Sequence, residues 1–183
     1  MKSKLVMAVA AVLALGSMAT ACTPTRTVKS AGEQIDDSAV TGKVKTALAR
    51  DPATSAFKIE VETFRGEVQL NGFVDSADMK SSATRVARSV GGVKSVSNNL
   101  QVGPGTRTAG EVVDDTVITA KVKTALAADP VVAAHQVNVE TRDGVVQLAG
   151  FVDNTDQKSK ASEVTRHIAG VKQVDNQLEV KQR

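Results

Sequence analysis

The chain has 183 residues, of which 42% are hydrophobic and 23% charged, a composition typical of folded domains and not of disordered chains. Aromatic residues make up 2%, with four Phe and neither Tyr nor Trp, which disfavours stacking surfaces for single-stranded nucleic acid or carbohydrate. One Cys and two His exclude a zinc site built from these residues and an internal disulfide. Residues 36–102 carry nine basic and eight acidic side chains, and residues 114–180 seven and ten, so the net charge of +3 indicates no nucleic-acid-binding face.

The first 21 residues have the pattern of an export signal. Lys2 and Lys4 precede an apolar run of eleven residues, Leu5 to Leu15, and the small residues Ala19-Thr20-Ala21 lead to Cys22. A membrane-spanning helix needs about 20 apolar residues. The segment therefore predicts a cleaved signal peptide and an exported protein.

Cys22, the only cysteine of the chain, follows the cleavage pattern directly, which resembles a bacterial lipobox with Ala19 where a large apolar residue is usual. In a lipobox the cysteine is lipidated and becomes the mature N-terminus, and Thr23 in place of Asp favours the outer membrane. A lone exposed thiol is a liability in an oxidising compartment, which favours lipidation. Ordinary cleavage after Ala21, with an unmodified thiol, is the alternative. Residues 22–35 are predicted to form a flexible tether.

An internal duplication dominates the rest of the chain. Residues 36–102 and 114–180 align at an offset of 78 without a gap, with 37 identities in 67 positions. This predicts two similar domains joined by a linker, residues 103–113, that begins with a stretch rich in Gly, Pro and Thr.

The first unit begins with a predicted helix. Asp36 to Ser38 is expected to cap its N-terminus, and the pair Asp114-Asp115 is expected to do the same in the second unit. Pro52 ends the helix. Its apolar residues share one face: Val40, Val44, Ala47 and Leu48.

Two strands and a tight turn are predicted next. Ile59 to Thr63 alternates apolar and acidic residues, as a half-buried strand does. Arg65-Gly66 is expected to form the turn, with a positive φ at Gly66. The second strand places the following residues on one face: Val68, Leu70, Gly72 and Val74.

A second helix and a third strand complete the unit. Asp75-Ser76 is expected to cap the helix, Gly91-Gly92 to end it, and Val96 to Val102 to form the strand. The helix has one apolar face: Met79, Ala83, Val86, Ala87 and Val90. A right-handed crossover makes the second and third strands parallel, whereas the hairpin is antiparallel. The predicted fold class is α+β: two tandem α-β-β-α-β domains, each with two helices on one face of a mixed three-stranded sheet.

Two marks in each unit resemble the BON-domain family (bacterial OsmY and nodulation). Val68–Asp75 (VQLNGFVD) is matched by Val146–Asp153 (VQLAGFVD), and Gly92–Asn98 (GVKSVSN) by Gly170–Asn176 (GVKQVDN). Tandem copies behind an export signal are similar to osmotically inducible periplasmic proteins and, behind a lipidated cysteine, to dual-BON outer-membrane lipoproteins. The asparagines that end the second mark are expected to hydrogen-bond across the sheet.

The recurring glycines are expected to have structural roles. Gly72 and Gly150 are expected to lie under the second helix of each domain, where a side chain would push that helix away. Gly92 and Gly170 are expected to end that helix in a left-handed turn. The full set is Gly66, Gly72, Gly92, Gly144, Gly150 and Gly170.

The resemblance implies binding to phospholipid surfaces and protection of the envelope, with chaperoning of exported proteins in some members. The lysines of the first helix of each unit flank its apolar stripe, and an anionic lipid surface attracts each by about 1 kcal/mol. A solvated helix face is the plainer alternative. Phe64, at the tip of the first hairpin, either inserts into a membrane interface or a partner groove, or folds back on its own domain. The candidate lipid contacts are Lys43, Lys45, Phe64, Lys121 and Lys123.

Phe73 and Phe151 recur at one position, out of phase with the core residues of their strand. We expect them on the sheet face away from the helices. That face is then a candidate docking surface, either between the domains or for a partner.

No catalytic residue, metal site or cofactor is predicted. His135 aligns with Phe57 and His167 with Ser89, and neither has an identifiable acid or nucleophile beside it. The repeated acidic pairs resemble a hard-cation site at first sight, but calcium needs roughly six to eight clustered oxygens, and helix capping accounts for the pairs.

Two hypotheses for function remain. In the first, the chain is a non-enzymatic lipoprotein of the bacterial envelope that supports outer-membrane integrity or stress tolerance by binding phospholipid surfaces. In the second, it is a soluble periplasmic osmotic-stress protein or chaperone that binds unfolded clients through bare sheet faces or open strand edges. The sequence does not specify an oligomeric state.

Overall fold

The fold is that of a computed structural model, which describes residues 31–54, 58–103 and 108–181. The predicted signal peptide, Cys22 and the first part of the predicted tether lie outside the described residues. Residues 31–35, predicted as tether, belong to the first helix.

Each domain has two helices and one mixed sheet. The first domain contains α1 (Ala31–Arg50), β1 (Ile59–Phe64), β2 (Glu67–Val74), α2 (Ala77–Arg88), β3 (Ser95–Asn98) and β4 (Gln101–Val102). The second contains α3 (Ala109–Ala128), a short 3-10 turn (Ala134–Gln136), β5 (Asn138–Arg142), β6 (Val145–Val152), α4 (Thr155–Arg166) and β7 (Gln173–Val180). This order confirms the predicted α+β class.

The hairpin strand that lies second in each domain is the centre of its sheet. β2 pairs antiparallel with β1 and parallel with β3 and β4, and β6 pairs antiparallel with β5 and parallel with β7. The predicted mixed sheet is therefore confirmed. The last strand is continuous in the second domain but broken between Asn98 and Gln101 in the first, where the carbonyl of Asn99 accepts a 2.7 Å hydrogen bond from Nε2 of Gln147 in the other domain.

Each domain has its own apolar core between its helices and its sheet. In the first, Val44 of α1, Leu70 of β2 and Ala83 of α2 are completely buried, and in the second Val122 and Leu148 are. The face predicted for α2 is confirmed, because Ala87 is buried with Ala83 while its other apolar residues pack partly against the core. Burial of these faces holds the helices on one side of each sheet.

The acidic pairs do not cap the first helices, because α1 and α3 begin five residues before them. Asp37 is instead buried inside α1, where its carboxylate accepts hydrogen bonds from the N–H groups of Arg65 and Gly66 at 2.8 and 2.9 Å. Asp115 binds the second hairpin tip in the same way, and the cap of α3 is Thr108. The prediction of capping was wrong because a side chain inside a helix can also satisfy the N–H groups of a neighbouring turn.

The hairpin tips confirm the predicted turn. Arg65 and Gly66 both have positive φ, 53° and 81°, and Asp143 and Gly144 have 55° and 79°. Two successive positive φ values define the hairpin turn whose twist matches the strands. The N–H groups of this turn point out of the ladder, which is why the helix carboxylate can bind them.

The structural reason predicted for Gly72 and Gly150 was wrong. A Cβ on Gly72 would lie 2.8 Å from the carbonyl oxygen of Lys58, and a Cβ on Gly150 would lie 2.1 Å from that of Gln136. The backbone that enters β1 or β5, and not the second helix, therefore requires glycine at these positions. Their φ values, 117° and 124°, also favour glycine. Gly92 and Gly170 do have the predicted left-handed conformation after α2 and α4.

The asparagines of the second mark bind a helix and not a strand across the sheet. Nδ2 of Asn98 donates to the carbonyl of Lys80 in α2 at 2.7 Å, and Nδ2 of Asn176 to that of Lys158 in α4 at 2.8 Å. The prediction was wrong because the asparagine side chains point to the helix side of the sheet.

Candidate functional site

The sheets of the two domains face each other through a reciprocal pair of glutamines. Oε1 of Gln147 in β6 accepts a hydrogen bond from the N–H of Gly72 at 2.6 Å, and Oε1 of Gln69 in β2 accepts one from the N–H of Gly150 at 3.0 Å. Both glutamines are buried. The 78-residue offset exchanges the two bonds, so an approximate two-fold relation connects the domains. Buried amides need such partners, which fixes how the sheets dock.

One edge of this interface is aromatic. The rings of Phe64 and Phe151 stack with centroids 5.4 Å apart, and both residues are less than a tenth exposed. The prediction of Phe64 as a lipid contact is therefore wrong for the docked domains, because the second domain covers the ring. The docking surface expected at Phe73 and Phe151 is confirmed as a surface between the domains.

Arginine replaces phenylalanine at the opposite edge. Arg142, the counterpart of Phe64, lies over the ring of Phe73 with 5.9 Å between the guanidinium carbon and the centroid, and its Nη2 lies 3.2 Å from Oδ1 of Asp75. The side chain of Arg142 is 8% exposed. This role was not predicted from the sequence. The available signal was that Arg142 takes the position of Phe64 in the aligned second unit.

Two ion pairs with shifted pKa values lie at these edges. Nζ of Lys58 donates to Glu140 at 2.6 Å, and this hydrogen bond raises the pKa of the Lys58 ammonium above its ordinary value. Nζ of Lys181 donates to Asp153 at 2.5 Å, which lowers the pKa of the Asp153 carboxyl. Both pairs are partly exposed, so each contributes modestly to stability.

A cleft of about 760 Å³ opens between the domains beside the aromatic edge. Phe64, Phe151 and Val61 form its apolar part, and Lys45 and His135 lie at its polar wall. Lys45 is paired with Glu60 at 3.3 Å.

The four candidate lysines are exposed but do not form one cluster. Lys43 borders a groove with Arg65 and Lys94, whereas Lys45 lies in the cleft. Lys121 lines a shallow groove on α3, and Lys123 occupies the position that Lys45 has in α1.

The outer side of α3 carries an apolar strip that the sequence reading missed. Val113 is 61% exposed and Val117 46%, and the strip continues along a groove of about 470 Å³ past Ala120, Thr124 and Ala128. Four of the five large hydrophobic residues exposed in the described part of the chain lie between 112 and 131. The spacing of Val113 and Val117, outside the core stripe of Ile118, Val122 and Leu126, was the available signal.

The corresponding side of α1 differs. Ala39 takes the place of Val117, Gly42 that of Ala120, and Arg50 that of Ala128. The groove on this side of α1 is lined by these residues with Lys43. At these three positions the outer side of α3 is thus more apolar than that of α1.

The histidines stay at the surface. His135 is exposed at the mouth of the cleft, and Nδ1 of the exposed His167 lies 2.8 Å from the carbonyl oxygen of Glu163. In residues 31–54, 58–103 and 108–181, no group of three or more His, Cys, Asp or Glu could hold a metal ion. The helices within these ranges are all too short or too polar to cross a membrane.

Comparison with known proteins defines the class. The BON-domain profile matches residues 36–104 and 114–182, which together cover most of the chain. The chain belongs to the BON-domain family, with two BON domains in tandem.

Individual relatives are bacterial. The chain is 41% identical over 155 residues to osmotically-inducible protein Y of Escherichia coli, a match that covers 82% of this chain and 75% of that protein. It is 35% identical over 168 residues to outer membrane lipoprotein DolP of Haemophilus influenzae, covering 91% and 84%. A third relative, the 21 kDa hemolysin of Actinobacillus pleuropneumoniae, is 31% identical over 147 residues, covering 80% and 75%.

Proposed function

We propose that this chain is a non-enzymatic protein of the bacterial envelope, with a role in stress tolerance, that binds phospholipid surfaces through the outer side of α3. The envelope role is supported by relatives whose names describe osmotic induction and an outer-membrane lipoprotein. The observation that carries the lipid contact is the exposed valine strip of α3.

The chemistry of the strip fits a membrane interface. Val113 and Val117 follow one another by one helical turn, and burying each exposed valine in the interface gains about 1–2 kcal/mol. Lys121 lies beside this strip, where it adds about 1 kcal/mol on an anionic surface. The sum is a weak contact, which suits domains held near the membrane by an anchor.

Vesicle flotation tests the contact. The exported chain with Cys22→Ser should bind vesicles of phosphatidylglycerol and phosphatidylcholine. The affinity of the double variant Val113→Asp/Val117→Asp for these vesicles should be lower by about tenfold or more. Val102→Asp is the matched control, because Val102 is 52% exposed but lies outside α3. Unchanged binding by the double variant, or failure of the parent chain to bind, would overturn the proposal.

The anchor we propose is a lipid on Cys22, which retains the protein at the outer membrane. Mass spectrometry of the mature N-terminus from native membranes should detect a diacylglyceryl-modified cysteine, absent from a Cys22→Ala variant. An unmodified N-terminus in the soluble periplasmic fraction would contradict anchoring and leave the α3 contact to be tested separately.

Client binding through bare sheet faces is the weaker candidate. The outward sheet faces pack against each other around Gln69 and Gln147, so they do not present a surface to an unfolded chain. A role as a chaperone would need another surface.

A further inference from the structure

The interface between the domains has a common centre and two different edges. The glutamine-to-glycine bonds of the centre are the same in both directions, because both domains carry the glutamine and the glycine. We call Phe64, Phe151, Asp153 and Lys181 the first rim, and their two-fold counterparts Arg142, Phe73, Asp75 and Gly103 the second rim. Only features that differ between the rims can make one domain prefer the other to a copy of itself.

In the first rim, the ring contact and the cation come from two different residues. The Phe64 ring stacks on Phe151, while the ammonium of Lys181 binds Asp153 and lies 5.9 Å from the Phe64 centroid. One side chain supplies the ring contact and the other supplies the cation.

In the second rim, one residue does both. The Arg142 guanidinium covers the Phe73 ring and also binds Asp75. The position equivalent to Lys181 is Gly103, where even a Cβ would lie 3.0 Å from Nε of Arg142. A lysine at this position would have to displace the side chain of Arg142, which already binds Asp75.

We propose that these rims are a specificity lock, in which Phe64 requires Lys181 and Arg142 requires Gly103, so that each docking face fits the other type of domain and rejects a second copy of its own. A pair of first domains would place Phe64 on the partner's Phe73 but leave Asp75 with a glycine. A pair of second domains would place Arg142 where Lys181 already binds Asp153. Either combination would occur twice in the symmetric pair.

A further contact favours the same pairing. Nε2 of Gln101 donates to the carboxylate of Asp175 across the interface. The counterpart of Gln101 is Glu179, so a pair of second domains would set Glu179 against Asp175, carboxylate to carboxylate.

Single substitutions build the rejected combinations inside the intact chain. Arg142→Phe gives the second rim the residues of two first domains, and Phe64→Arg gives the first rim those of two second domains. We expect each to lower the melting temperature by roughly 2–4 °C or more. Gly103→Lys alone should also lower it, because the introduced side chain would crowd Arg142.

Paired substitutions restore a permitted rim. The double variants Arg142→Phe/Gly103→Lys and Phe64→Arg/Lys181→Gly should recover most of the lost melting temperature. Gly91→Lys is the matched control, because no atom lies within 4 Å of its Cβ position and it lies in a turn outside the helices, and it should not rescue Arg142→Phe. A double variant whose melting temperature falls by at least the sum of the decreases in its two single variants would overturn the lock. Single variants with the melting temperature of the parent would overturn it as well. If a single variant does not fold, recovery of folding in its double supports the lock and failure of both contradicts it.

Discussion

A carboxylate on the first helix of each domain holds the tip of the neighbouring hairpin. Asp37 is 5% exposed and accepts from two consecutive turn amides, and Asp115 repeats the contact. Hydrogen bonds to a charged acceptor are stronger than neutral ones. The carboxylate thus ties helix to sheet without an apolar contact.

The variant Asp37→Asn tests this role. One amide oxygen can still accept, but the amide nitrogen would face a backbone N–H, and we expect a loss of about 2–3 kcal/mol in the free energy of unfolding. Urea denaturation measures the loss. The neighbouring Asp36, which is exposed, provides the control Asp36→Asn. Equal stability of the two variants would show that the turn does not depend on the carboxylate.

At the scale of elements, glycines separate places that tolerate a side chain from places that do not. Gly42 lies inside α1 with nothing within 4 Å of its Cβ position, so Gly42→Ala should raise the free energy of unfolding by about 0.5–1 kcal/mol. Gly72→Ala should lower it by about 2 kcal/mol or more, because φ is 117° and the carbonyl oxygen of Lys58 lies 2.8 Å from the Cβ position. Thermal or urea unfolding distinguishes the two, and a stable Gly72→Ala chain would contradict the close approach.

The elements themselves were predictable from periodicity, whereas their ends were less so. The face of α2 follows from the spacing of its apolar residues, and the parallel pairing of β2 with β3 follows from the right-handed crossover. Ser76 is the cap expected for α2. The start of α1 was misplaced because Asp37 resembles a cap in sequence but binds a hairpin that is distant along the chain. The valine strip of α3 was not predicted, because its residues lie outside the apolar stripe that forms the core.

At the scale of the whole molecule, the two domains dock through polar residues on the outward faces of their sheets. Gln69 and Gln147 are identical in the repeat and lie out of phase with the core, which hinted at a shared outward contact. The sequence could propose that face through Phe73 and Phe151. It could not show that the domains meet there, because reciprocity between two glutamines and two distant backbone N–H groups has no local signature.

Docking should be insensitive to pH near neutrality. The pKa of Asp153 is lowered, so its contribution is present above the ordinary value of 3.8 and is lost as the pH falls through the lowered value. The pKa of Lys58 is raised, so its contribution is present below 10.5 and is lost as the pH rises through the raised value. NMR shifts of the Gly72 and Gly150 N–H groups should therefore stay constant from about pH 5 to about pH 9. A transition within that range would mean that another titrating group controls docking.

A single fluorescent label distinguishes an α3 that contacts a phospholipid surface from one that stays in water. Cys22 is the only cysteine, so a Cys22→Ser chain accepts one environment-sensitive fluorophore through Val117→Cys or, as the matched position outside α3, Val102→Cys. On adding anionic vesicles, the label at position 117 should shift to the blue and become shielded from an aqueous quencher, while the label at 102 stays in water. Labels that both remain in water, or a shift at 102 without one at 117, would contradict the account.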